Sequence, residues 1–211
     1  MKTEQLVEAL VADRAASRKP ISVALALGLV LGGVVSLVLF LVDLGVRADI
    51  GPALATWRFD LKVALVLVAL ALAFTLCLEC ARPEPSGRPM RRLLPLAVLA
   101  ILAVAVELVI VPRATWVTRL VGTNSLVCLS AIPLLSIAPL AAVLAILRRG
   151  APASPALAGA AAGLLAAASG ATLYAFHCFD DSPLFVMTWY SLAALPIVLL
   201  GALIGRRLLR W

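Results

Sequence analysis

The chain has 211 residues, of which 64% are hydrophobic and 14% are charged, with a formal net charge of +7 and a mean hydropathy of +1.10. This composition excludes a soluble globular domain, and because no basic patch is interleaved with exposed aromatic residues, the charge does not indicate direct nucleic-acid binding. The charged residues separate apolar runs long enough to cross a bilayer, which takes about 20 residues as a helix, so we predict an all-α polytopic membrane protein.

Residues 1–19 form the only substantial polar segment before the first apolar run. Within it, Leu6, Val7, Leu10 and Val11 recur with the spacing of one helical face, which predicts a short amphipathic helix. Such a helix either lies on the membrane surface or docks in a groove of a cytosolic partner. The mixed charge of the segment argues against binding to an anionic surface.

Six apolar runs predict the spanning helices of the remaining domain, residues 20–211. In chain order they are Ile21–Val42, Val63–Leu78, Leu93–Val111, a helix within Leu120–Leu147, about Ala156–Phe176, and Pro183–Ile204. The first run could alternatively be a cleaved signal peptide, but it exceeds the usual apolar region of about 7–15 residues. Six spans place both termini on one side of the membrane.

The distribution of lysine and arginine predicts which side this is. Thirteen of them lie in the termini and in the second and fourth loops, and five lie in the other three loops. Because cytoplasmic loops of membrane proteins retain basic residues, we predict cytoplasmic termini in a bacterial inner membrane protein. The loops near Asp43–Asp60, Pro112–Asn124 and His177–Ser182 then face outside.

Small residues and prolines predict how the helices pack. Three Gly-x-x-x-Gly pairs favour close contact between helices in lipid. They are Gly28 with Gly32, Gly159 with Gly163, and Gly201 with Gly205. Prolines within the fourth and sixth spans, at positions 133, 139 and 196, remove backbone donors and predict bends.

Four cysteines fall into two pairs. Cys77 and Cys80 lie at the predicted inner end of the second span, where a zinc site would need two more ligands, and we expect them to be small interfacial residues. Cys128 and Cys178 both lie at the predicted outer face. If their helix ends pack together, the thiols could form a disulfide or bind a soft metal ion together with His177.

Two aspartates follow His177 and Cys178 closely. A metal-sensing set of His177, Cys178, Cys128, Asp180 and Asp181 is therefore possible, with a soft metal ion as the signal and no other cofactor expected. The aspartates could instead belong to a helix N-terminus, because a proline follows them at the first turn.

Two polar residues near the outer face have structural interpretations. Ser182 is predicted to cap the sixth helix. Glu107 is the one carboxylate within an apolar run, which makes it a functional candidate by default. It lies near the outer end of its helix, so we expect an ion pair with Lys62, Arg58 or Arg113.

Several sequence stretches resemble the NrsF family, the negative regulators of sigma F, which are membrane-bound anti-sigma factors of bacteria. The resemblance extends over the whole chain. It rests on Met1-Lys2-Thr3 with Leu6 and Leu10, Cys128-Leu129-Ser130-Ala131-Ile132-Pro133, Leu147-Arg148-Arg149-Gly150-Ala151-Pro152, Gly159-Ala160, Tyr174-Ala175-Phe176-His177-Cys178, Asp180-Asp181-Ser182-Pro183-Leu184-Phe185 and Arg207-Leu208-Leu209-Arg210-Trp211.

The resemblance implies six helices and a cytosolic N-terminus that sequesters an extracytoplasmic-function sigma factor. It also implies two outer cysteines that take part in sensing heavy metal or oxidative stress, which match Cys128 and Cys178 here. We therefore predict a non-enzymatic regulator. The alternative is a membrane thiol oxidoreductase passing electrons to quinone, and a transporter is disfavoured because no polar row lies near the bilayer midplane.

Overall fold

The protein is an all-helical bundle in the parts that the computed structural model describes, which are Thr3, Gln5 and residues 20–84 and 89–210. Among these described residues, six helices are long and apolar enough to cross a membrane, which confirms the predicted fold class. The long helices are α1 (Ile21–Asp43), α2 (Trp57–Cys80), α3 (Leu94–Ile110), α4 (Ser125–Leu147), α5 (Pro155–Ala175) and α6 (Ser191–Leu208).

Short elements connect these helices. They are an α-helical turn at Ile50–Ala53, 3-10 turns at Pro89–Leu93 and Arg113–Thr115, a helix at Trp116–Val121, and a helical turn at Pro183–Phe185 that runs through a π turn at Val186–Tyr190 into α6. The predicted spans agree with the long helices except at the start of α2. That helix begins earlier than Val63 because the Thr56 hydroxyl accepts a hydrogen bond from the Phe59 amide (3.4 Å) and so caps it.

Helix α5 lies at the centre and packs against α2, α4 and α6. Its small residues allow the backbones to touch: Gly159 contacts the backbone of Gly201, and Gly163 contacts that of α6 near Ile197. Helix α1 packs against α4 in the same way, with Gly32 against Pro139. The Gly-x-x-x-Gly pairs are therefore helix contacts within the chain, as predicted.

Helix α3 is the least packed of the six. Only Ala103 and Glu107 among its residues are buried. Both of its ends carry ionic contacts, which involve Glu107 at one end and an ion pair between Arg92 and Glu79 near the other. These contacts attach an otherwise exposed apolar helix to the bundle.

The loops at residues 44–56, 111–124 and 176–182 all lie at one end of the bundle, which we call the thiol end because it contains Cys128 and Cys178. The start of α1 and the ends of α2, α4 and α6 lie at the other end, which we call the terminal end. The predicted apolar stripe of Leu6, Val7, Leu10 and Val11 lies outside the described residues; Thr3 and Gln5, which are described, are helical.

Candidate functional site

The two cysteines of the thiol end lie in one buried cluster. Cys128 lies one turn into α4, and its amide donates to the Asn124 carbonyl (2.8 Å). Cys178 lies on the loop that follows α5. Neither thiol is exposed, both are free, and they share a hydrophobic cluster. The packing of the two helix ends, on which the predicted cysteine pair depends, therefore exists in this structure.

Two tyrosines complete the cluster around the thiols. Tyr174 comes from α5 and Tyr190 from the π turn before α6, with ring centroids 5.8 Å apart. The Tyr174 hydroxyl donates to the Asn124 carbonyl (3.3 Å). The Cys178 thiol points along its own loop, where it donates weakly to the Asp180 carbonyl (3.7 Å).

Two buried cations hold the loop that carries Cys178. The Lys62 ammonium, wholly buried on α2, donates to the Cys178 carbonyl (2.8 Å) and pairs with Asp181. The Arg47 guanidinium donates to the same carbonyl (3.0 Å) and to Asp181 (3.0 Å). The Arg47 amide also donates to the Phe176 carbonyl (3.0 Å). The backbone of Cys178 is therefore fixed from two other elements.

Burial and nearby charges have opposite effects on the ionisation of the Cys178 thiol. Burial raises the pKa of the Cys178 thiol, and the nearby Lys62 ammonium lowers it in part. Hydrogen bonds from Arg47 lower the pKa of Asp49, to which the guanidinium donates at 2.7 and 2.8 Å. The Arg47 pKa is raised in turn, because Asp49 and Asp181 stabilise its charge. The Arg47 guanidinium therefore stays charged, and the loop that it holds carries a thiol that burial keeps neutral.

The other predicted metal ligands have different partners. Asp180 accepts hydrogen bonds from the amides of Thr123 (3.0 Å) and Asn124 (2.8 Å), just before α4. The Nδ1 of His177 lies 3.1 Å from the Gly45 carbonyl, so it carries the proton and leaves Nε2 as the free nitrogen. Gly45 itself has φ of +69°, which favours glycine, and this turn brings its carbonyl to the histidine.

No three His, Cys, Asp or Glu side chains come together as a metal site in residues 20–84 and 89–210 or at Thr3 and Gln5. The donors of the predicted set that remain without a charged or amide partner are the two thiols and the free nitrogen of His177. These soft and borderline donors suit a soft cation better than a hard one.

A second buried ionic group lies beside this cluster. Glu107 is wholly buried and accepts hydrogen bonds from Arg58 (3.1 Å) and Arg119 (3.2 Å). The predicted pair with Arg58 is confirmed. Lys62 pairs with Asp181 instead, and the Arg113 guanidinium lies over the Trp116 ring.

The predicted cap at Ser182 is wrong in its hydrogen bond. Ser182 does occupy the N-cap position, yet its side chain makes no cap hydrogen bond to the helix. The hydroxyl donates to Glu107 instead (3.2 Å). A buried carboxylate is a strong hydrogen-bond acceptor, and this explains why the hydroxyl points to Glu107.

The inner cysteines lie far from this site in the fold. Cys77 and Cys80 belong to a separate core cluster near the terminal end, together with residues of α4 and α5. They pack as small apolar side chains, in agreement with the prediction.

Sequence reasoning missed Arg47, Arg119 and Tyr190. The only local signal for Arg47 was a possible ion pair with Asp49, two residues away. Its hydrogen bond to the Cys178 carbonyl could not be predicted, because it depends on packing between elements that are distant in sequence. Tyr190 carried a clearer signal, because a tyrosine inside an apolar span needs a partner for its hydroxyl.

Comparison with known proteins gives consistent results over the full chain. A family described as negative regulator of sigma F matches residues 10–211. The chain is 37% identical over 215 residues to the anti-sigma-F factor NrsF of Caulobacter vibrioides (strain NA1000 / CB15N), with all of both chains covered. It is 36% identical over 215 residues to the probable anti-sigma-F factor NrsF of Azospira oryzae, again with all of both chains covered. No solved structure matches the chain.

Proposed function

We propose a mechanism by which this chain regulates its partner. The chain belongs to the NrsF family of negative regulators of sigma F. As an anti-sigma factor it has a sigma factor as its partner and regulates transcription through it. In our proposal the partner is of the extracytoplasmic-function type, and the protein holds it at the bacterial inner membrane. A heavy metal ion or an oxidant that reacts with Cys128 and Cys178 causes its release.

The observation that carries the sensing step is the burial of Cys128 and Cys178 in one cluster. The two thiols come from different elements, α4 and the loop after α5. A disulfide or a shared soft ion would therefore link two elements that no such bond joins in the reduced protein. Lys62 and Arg47 fix the loop side, so strain from the new bond would fall on α4.

The packing of α4 supplies a route from the thiols to the N-terminal segment. On the same helix as Cys128, Pro139 packs directly on Gly32 of α1. The Ser36 hydroxyl of α1 donates to the Leu135 carbonyl of α4 (2.6 Å). Because α1 directly follows residues 1–19, a shift of α4 changes the position of the segment that we propose binds the sigma factor. Contiguous packing of this kind is what couples distant sites.

The orientation that this mechanism requires has the thiol end outside the cytoplasm. It is supported by the distribution of lysine and arginine along the sequence, with thirteen in the termini and in the second and fourth loops and five in the other three loops. The N-terminal segment then meets a cytosolic sigma factor, and the thiol end faces an oxidising environment.

The sensing proposal is tested with cysteine variants in cells that carry a reporter for the sigma factor. Cys128→Ser or Cys178→Ser should each abolish induction by a heavy metal ion, and the double variant should behave as the single ones do. The matched control is Cys77→Ser with Cys80→Ser, which removes two buried thiols at the other end and should leave induction intact. Normal induction in a Cys178→Ser strain would refute the sensor.

The binding proposal is tested with the apolar stripe. Burial of a leucine contributes about 1.5–3 kcal/mol, so Leu6→Asp with Leu10→Asp should release the sigma factor and activate the reporter without stress. Glu4→Gln with Glu8→Gln is the control, because it changes the polar face of the same predicted helix. A silent reporter, with the protein present in the membrane, would mean that the stripe anchors the segment to the membrane surface.

The oxidoreductase alternative is less well supported by the cysteine positions. An electron relay needs thiols that can exchange with each other, but the two pairs belong to separate clusters at opposite ends of the bundle. Reduction of a water-soluble quinone by the purified protein would favour that alternative.

A further inference from the structure

We propose that the terminal end holds a binding site for the phosphate group of an anionic phospholipid, in a pocket between the ends of α4 and α6. The pocket has a volume of about 150 Å³. Its lining consists of Arg148 and Gly150 after α4, and of Leu208, Leu209 and Arg210 at the end of α6. The site involves neither the thiols nor the N-terminal stripe, and it can bind lipid whether or not a sigma factor is present.

The arginines at the two ends of the bundle differ in their partners. At the thiol end, Arg47, Arg58 and Arg119 each pair with a carboxylate of this chain. Five arginines at the ends of α4 and α6 are exposed, and their guanidinium groups form no ion pair or hydrogen bond with any residue that the structure describes. These five are Arg148, Arg149, Arg206, Arg207 and Arg210. Their charge is therefore available to an anionic partner.

The helix ends at this pocket compensate only part of that charge. A helix C-terminus carries about half a negative elementary charge, so the ends of α4 and α6 together offset about one of the five positive charges. A net charge of about +4 remains for a ligand. Each arginine close to an anionic membrane surface raises the affinity about fivefold.

Packing fixes the backbone on both sides of the pocket. Arg148 follows Leu147, Arg210 follows Leu209, and both leucines are buried in one core cluster. The amide of Gly150 donates to the Leu147 carbonyl (2.9 Å), and the amide of Leu209 donates to a carbonyl of α6 (3.0 Å). These backbone donors are therefore occupied, and the guanidinium groups supply the donors for a ligand. Their planar N–H groups match the oxygens of a phosphate.

An apolar stripe on α6 favours a phospholipid over an acidic surface of a soluble protein. The stripe consists of the exposed leucines Leu192, Leu195, Leu199 and Leu203. Arg206 and Arg207 follow three and four residues after the last leucine, so they continue the same face of the helix. Acyl chains can lie along the leucines while the phosphate reaches the arginines. A soluble acidic partner would use the arginines alone.

The first test measures lipid affinity in two double variants of the full chain. The pocket variant, Arg148→Gln with Arg210→Gln, removes both lining charges. The loop variant, Arg82→Gln with Arg91→Gln, is the matched control, because it removes two exposed arginines at the same end that do not line the pocket. Native mass spectrometry in detergent measures the binding of phosphatidylglycerol, with phosphatidylcholine of the same acyl chains for comparison.

We expect the pocket variant to bind phosphatidylglycerol about 30-fold more weakly than the wild type. The loop variant should bind it as the wild type does, and phosphatidylcholine should bind weakly to all three proteins. An equal loss of affinity in the two variants would overturn the pocket as the site. Displacement of the lipid by inorganic phosphate would assign the pocket to a free anion and would overturn the lipid.

The second test separates lipid binding from folding. A ligand that binds the folded state raises its thermal stability, so the wild type and the loop variant should unfold at a higher temperature in phosphatidylglycerol nanodiscs than in phosphatidylcholine nanodiscs. The pocket variant should lose this difference and match the wild type in phosphatidylcholine. Equal destabilisation of the pocket variant in both lipids would mean that the arginines bind carboxylates of the chain itself, such as those of residues 1–19, and would overturn the lipid site.

Discussion

Replacing Gly32 with alanine tests the contact between α1 and α4 most directly. A Cβ at this position would lie 2.7 Å from the Cα and 2.8 Å from the nitrogen of Pro139. These are backbone atoms, so no side-chain rotation relieves the clash and the helices must separate. Overpacking of this kind costs about 1–3 kcal/mol. Alanine also gains about 0.8–1.0 kcal/mol of helix propensity over glycine, so the net loss of stability should be between about zero and 2 kcal/mol.

The adjacent Gly33 provides a matched control for Gly32→Ala. A Cβ there would meet no atom within 4 Å, so Gly33→Ala has the propensity gain without the clash. The difference in unfolding free energy between the two variants should therefore be about 1–3 kcal/mol. Thermal unfolding in nanodiscs measures it, and the sigma-factor reporter measures its effect on repression. Only Gly32→Ala should raise reporter activity without stress. Equal stability and equal repression in both variants would refute the packing of α1 on α4 and the route built on it.

The remaining predictions concern the thiol end and the topology. Lys62→Met removes one of the two cations that bind the Cys178 carbonyl and Asp181, while Arg47 keeps its contacts with both, and it should destabilise the protein by about 1.5–3 kcal/mol, as for the loss of a hydrogen bond to a charged group; a thermal unfolding shift of nearly zero would contradict this. Glu107→Gln should weaken the attachment of α3 and expose its thiol-end half to limited proteolysis, and an unchanged cleavage pattern would show that α3 is held in another way. A periplasm-active reporter fused after Trp211 should be inactive, and an active fusion would reverse the proposed orientation.

The helices were predictable because bilayer length and an apolar run define each of them. The start of α2 was the exception, because Arg58 and Lys62 lie in its first turns and made the uncharged run too short. Their charges are satisfied by Glu107 and by the Cys178 loop. A window of local hydropathy contains no information on partners that are distant in sequence.

The candidate site was predictable only in part. Local sequence placed Cys128 and Cys178 at the same end of the bundle, and the structure adds that they share one buried cluster. The hydrogen bond from Ser182 to Glu107 was not predictable, because the local rule for a serine before proline favours a cap. Whether the hydroxyl turns toward a helix amide that donates to it or toward a carboxylate that accepts from it depends on the burial of the carboxylate, and burial follows from tertiary packing.

The ionic group around Glu107 has a consequence for how the chain is inserted during synthesis. Its carboxylate would be costly in the bilayer without a counter-charge, but Arg58 and Arg119 lie on the second span and just after the third. Both arginines are therefore translated before the last three long helices. The Glu107 carboxylate of the third helix can therefore enter the membrane with its counter-charges beside it. Ser182 joins this ionic group only when the last helix arrives, so its hydrogen bond closes the assembly at the end of biogenesis.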